Sequence, residues 1–301
     1  MSRLLRFSVP AVILLLAFNV NANNLVFGHT FSGDESASFL SKVEMIKIES
    51  QLAQEQLSKN DSLAKAHAEQ TTQILTDNDT EQISERNSRL ATELDDKLTD
   101  FVNAFESESP SESEVTDKVS NISDVLSEVV SARIDQEQLN NVTVKALVVN
   151  DLVGEGLEHY GSALGMEESE HEENEEHESA LNETENGSNE TANIVNEADY
   201  QSAQAAISRA IDMYDEIKPS ENANSTELGT SLTSLTEKID GKSQFDEIDK
   251  IVDDKITPLL NDLFKLSLSE EEHTEEGEHA EEEEESHSSS ENETHETETE
   301  G

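Results

Sequence analysis

The chain of 301 residues has no cysteine and no tryptophan, only four prolines, and just 19 Lys and Arg against 69 Asp and Glu. Without cysteine there are no disulfides, thiolate metal centres, cysteine nucleophiles, iron–sulfur clusters or covalent haem. A chain of this length can still bury enough surface to fold without cross-links. Aromatic residues make up 4% of the chain, which argues against a sugar-stacking groove or a base-stacking platform. A net charge of -50 repels nucleic acid and anionic membranes alike. Long apolar runs are also missing. The one candidate, Phe7–Val20, is shorter than the roughly 20 residues a spanning helix needs. With Arg3 and Arg6 before it and Val20-Asn21-Ala22 after it, it reads as a signal peptide over 1–22 and predicts an exported protein, placed at the cell surface or secreted.

What is present is helical periodicity. Ser32–Glu35 forms a capping box, followed by Phe39, Val43, Ile46, Ala53 and Leu57 at helical spacing. Asn60-Asp61-Ser62 predicts a break, after which Leu63, His67 and Ile74 share a face. Asn78–Glu81 predicts the cap of a third helix with the stripe Ile83, Leu90, Leu94, Leu98, Phe101 and Phe105. A polar linker around Pro110 (107–113) leads to a Ser111–Glu114 box and the stripe Val115, Val119, Ile122, Leu126 and Val129. Further helices are expected over 142–164, 192–217 and 225–239. A last one starts at Ser243, and Pro258 should kink it. No window shows strand-like alternation supported by hairpin turns. The expected fold is all-α: helical bundles over 32–106 and 114–266, which could equally merge into one bundle.

Two segments break this pattern. Gly165–Asn189 holds 10 Glu and Ser267–Gly301 holds 16, and neither contains Lys or Arg. Such composition predicts a disordered acidic insert (165–190) and a disordered acidic C-terminal tail. Six of the nine histidines lie there: His171 and His177 in the insert, His273, His279, His287 and His295 in the tail. Imidazole suits Cu and Zn, and carboxylates add charge for harder ions such as Fe. The tail histidines, six and eight residues apart, fix no preformed geometry, so binding would rely on an adaptable chain. The same composition also fits a solvated polyanion with incidental histidines, serving solubility, spacing or attachment to basic cell-surface proteins.

Elsewhere, His159, set between Glu158 and Tyr160, is a candidate for a metal-proximal role or for a helix-terminal histidine. His67 on an apolar stripe reads as a packed, hydrogen-bonded residue, and His29 as a pre-helix residue. No Ser–His–acid arrangement, phosphate loop, H-E-x-x-H or EF-hand spacing occurs, so a non-enzymatic protein is expected. Nine N-x-[ST] sequons, among them Asn60, Asn121 and Asn141, suit an exported glycoprotein.

Leu157-Glu158-His159-Tyr160-Gly161-Ser162-Ala163 and Ile194-Val195-Asn196-Glu197-Ala198-Asp199-Tyr200 together resemble the helical extracytoplasmic domain preceding the membrane part of FTR-type iron permeases. The resemblance spans about 147–264. It implies an exported helical module associated with metal-ion handling, not a transporter. Gly154–Glu158 matches part of the permease iron motif but has Gly154 where the motif has arginine. Phe27–Ser32 and the helices after it resemble small exported helical proteins of ammonia-oxidising archaea.

Overall fold

A computed structural model describes residues 33–106, 110–166, 191–220 and 223–266. The signal segment, most of the acidic insert and the tail lie outside the described residues. Within them the chain is all-α, with no strand. The helices are α1 (Gly33–Gln56), α2 (Asp61–Gln70), α3 (Asp77–Ala104), α4 (Glu112–Arg133), α5 (Gln136–Leu139), α6 (Val142–Ala163), α7 (Glu197–Ile217), α8 (Ala223–Asp240), α9 (Phe245–Ile251) and α10 (Thr257–Phe264).

Asparagine and threonine set several of the starts. Asn60 accepts from the amides of Ser62 and Leu63 at α2, and Asn196 from those of Ala198 and Asp199 at α7. The cap of α3 is Thr76, in a reciprocal box with Asp79, two residues earlier than the Asn78 cap expected. α7 begins at Glu197, not near Ala192. Ser111 stands at the start of α4 without a side-chain capping bond; its hydroxyl meets that of Ser113 instead. Inside α3 the backbone departs from helix at Asn87 (φ -159°, ψ 91°), whose side chain then accepts from the Leu90 amide as an internal cap. Pro258 is absorbed by a π-turn, Val252–Ile256, joining α9 to α10. There the Thr257 amide reaches back to the Val252 carbonyl, so the wide turn accommodates the ring and the missing donor.

Two hydrophobic cores form, and α1 belongs to both. Phe39, Val43, Ile46 and Ala53 pack with α2, α3 and α4, around Ile83, Leu94, Phe101, Ile122 and Leu126. Ala37, Met45 and Ile48 pack into a second core with α6, α7, α8 and the α9–α10 helix. At 100° per residue these two sets fall on opposite sides of α1. The first core runs on past α4 to Ile134.

α6 and α7 pack closely. A Cβ on Gly156 would lie 2.5 Å from Ile207 Cδ1, and Ala203, Ala206 and Ala210 are fully buried on α7. The chain on either side of the acidic insert is also closed: the amides of Val195 and Asn196 both donate to the Ala163 carbonyl, at 2.8 and 3.2 Å.

All three tyrosines of the chain lie in the second core, and each hydroxyl donates to a backbone carbonyl. Tyr160 bonds Ser243, Tyr200 bonds Ile239 at 3.1 Å, and Tyr214 bonds Ser225 at 2.7 Å. These bonds tie both ends of α8 and the turn into α9 to α6 and α7. Burial pushes the Tyr160 phenol up to about 12, with Tyr200 adding to it. Tyr160→Phe leaves the Ser243 carbonyl without this donor and is expected to cost about 1–2 kcal/mol, measured by thermal denaturation.

Candidate functional site

Polar side chains inside the described unit converge where α1, α2, α6 and α7 meet. His67 and Glu49 are 0% and 1% exposed. His67 Nδ1 lies 2.7 Å from Glu49 Oε2, and its Nε2 lies 3.1 Å from Gln201 Oε1. Gln201 Oε1 also accepts from Gln56 Nε2 at 2.9 Å. One turn along α2, Gln70 donates to Asp199 at 2.8 Å. Asp199 is buried and also accepts from Asn196 and pairs with His159 Nδ1 at 3.2 Å. Its place in the first turn of α7 sets the carboxylate in the favourable field of the helix N-terminus.

His159 titrates above its ordinary value. Burial alone would push it down, but the hydrogen bond to Asp199 and the charges of Glu49, Asp199 and Glu155 outweigh that. Asp151, two turns earlier on α6, is pushed up to about 6 by burial and by Glu155, against hydrogen bonds from Ser41 and Asn150. Glu44 on α1 behaves oppositely. Burial raises it, but Lys47 and Arg209 bring it below its usual range, with Arg209 Nε 2.7 Å away.

Of the residues expected to bind metal, His159 is half-buried against Asp199, and Glu158 on the preceding position of α6 is exposed. They are not brought together with a third ligand: among the described residues no group of three His, Asp or Glu could hold a metal ion. His171, His177, His273, His279, His287 and His295 lie outside the described residues. The residues that sequence reasoning missed are Glu49, Asp199 and Gln201. Glu49 reads as a surface acid, and the partners of His67 and His159 are distant in sequence, so no local spacing reveals them. No helix among the described residues is long and apolar enough to cross a membrane. No protein-family model, curated protein or solved structure matches the chain.

The two α6 groups give a pH dependence with a definite sign. A histidine raised in the fold contributes stability that is complete below its unfolded value and lost as pH rises through the folded one. A carboxyl raised in the fold binds its proton more tightly when folded, so ionising it also lowers stability as pH rises. Asp151→Asn is therefore expected to raise stability at pH 8 by on the order of 1–2 kcal/mol and to change little at pH 4. Chemical denaturation at the two pH values measures this.

Proposed function

We propose that this protein is an exported, non-enzymatic helical protein that binds and buffers divalent metal ions, Cu, Zn or Fe, through its Glu- and His-rich segments. The observation that carries this reading is the composition of those segments: six histidines set among 10 and 16 Glu, without one Lys or Arg. Carboxylates concentrate cations, and neutral imidazole supplies the ligand that Cu and Zn prefer. One feature of the fold supports this reading: His67 and His159 are engaged by carboxylates of the helical unit. The resemblance of 147–264 to the extracytoplasmic domain of FTR-type iron permeases adds iron to the ions of interest.

The competing reading is an interaction or spacer protein whose polyanionic segments meet basic partners, and the net charge of -50 favours it. The two differ in whether imidazole matters apart from charge. Replacing the six histidines with Gln keeps the carboxylates and removes the imidazoles. Calorimetric titration of wild type with Cu(II) or Zn(II) at pH 7 is expected to show several sites that weaken toward pH 6, as protons compete for the ring nitrogens. The six-fold variant should lose at least ten-fold in Cu(II) affinity and keep its weak Ca(II) binding. Equal Cu(II) affinity in the two proteins leaves the spacer reading.

A further inference from the structure

His67 sits in the last turn of α2, fully buried, with both ring nitrogens facing oxygens. The orientation of Gln201 decides what its Nε2 must be. The Gln201 amide nitrogen donates to Glu197 Oε1 at 3.4 Å, and a carboxylate accepts but does not donate. The Gln201 oxygen therefore faces His67, where it already receives the Gln56 amide, and His67 Nε2 must carry a hydrogen. On the other side Nδ1 lies 2.7 Å from Glu49 Oε2, a separation that two bare lone pairs would not hold, so a proton stands between them. Imidazole is a stronger base than a carboxylate by about two pH units in water, and the C-terminal pole of α2 favours a cation. Glu49 Oε1 is buried and unbonded, so this carboxyl group relies on His67 for its hydrogen bond.

On α6, His159 also feels the charge of Glu49, together with Asp199 and Glu155. Asp199 on α7 is bound to Gln70 and His159, and Glu197 on α7 faces Gln201. Asp79, at the start of α3, pairs with Lys42 and Arg133. On α2 itself Lys65 pairs with Glu69.

We infer that His67 is a buried imidazolium paired with Glu49, and that this proton-holding pair is a clasp fastening α2 to α1 and α7. Loss of the proton would leave a buried carboxylate facing a lone pair, a costly arrangement that separation of α2 relieves. The clasp is thus a proton-sensitive joint that opens on the alkaline side.

Nitrogen-15 NMR of the full-length protein tests it. At pH 6.5 both His67 ring nitrogens should show protonated shifts, and a bare Nδ1 there would overturn the inference. On raising the pH, amide-exchange protection of α2, corrected for intrinsic rates, should fall at least ten-fold as the ring loses its proton, while α8 stays protected. An α2 that remains protected around a neutral ring would contradict the clasp; a ring still doubly protonated when the whole fold melts would support the buried pair. Glu49→Gln at pH 6.5 should likewise speed exchange in α2 by ten-fold or more. If that variant does not fold, Gln201→Leu, which removes the acceptor at Nε2 together with the bonds to Gln56 and Glu197 and leaves Glu49 in place, should give a smaller but measurable increase, and unchanged exchange in a folded variant would count against the clasp.

Discussion

The fold depends on one helix being buried on two opposite sides. α1 gives Phe39, Val43, Ile46 and Ala53 to one core and Ala37, Met45 and Ile48 to the other. Each large apolar side chain so buried contributes about 1.5–3 kcal/mol, and the same backbone positions both sets. A rotation or slip of α1 that improved one core would damage the other. Polar contacts then fix its position: Lys42 meets Asp79 on α3, Glu44 meets Arg209 on α7, and Glu49 meets His67 on α2. These three pairs reach three different helices, so α1 is held in register from three directions.

The cost of this arrangement is that polar groups are enclosed where helices converge. Glu49, His67 and Asp199 are buried, and buried charges are tolerated only when paired and hydrogen-bonded. Gln201 supplies a bond to His67, and Gln70 and Asn196 supply bonds to Asp199, while Glu49 meets His67. The result is a joint whose charge state matters. Groups of opposite tendency bracket it: against burial, Glu44 is held below its usual range by Lys47 and Arg209, and Asp79 by Lys42 and the Thr76 cap, while Asp151 and His159 are raised. The first two weaken the fold as acid protonates them, and the second two as alkali deprotonates them.

Much of the helical layout was legible because apolar spacing and capping residues are local signals. The stripes of α3 and α4 are the buried faces found, and His67 is packed and hydrogen-bonded, as its place on a stripe implied. The second face of α1 was not legible, since Ser41 interrupts it and Ala37 is small. Nor were the pairings of His67 with Glu49 and of His159 with Asp199, because tertiary contacts between separate helices leave no spacing rule. The internal break at Asn87 escaped for another reason: an Asn within a polar stretch can cap or continue a helix, and packing decides. The chemistry of the acidic runs was read from composition alone, and their histidines lie outside the described residues.

The central claim, that α1 couples the two cores into one cooperative unit, can be tested with the chain's own reporters. All three tyrosines lie in the second core and there is no tryptophan, so tyrosine fluorescence reads that core alone, while far-ultraviolet dichroism reads every helix. Ile46 is fully buried on the opposite, first-core side of α1. Ile46→Ala is expected to destabilise by about 2–5 kcal/mol and to lower the denaturation midpoints of both signals together. A tyrosine midpoint left at its wild-type value, with an earlier loss of helix, would show that the cores unfold independently and would contradict the account.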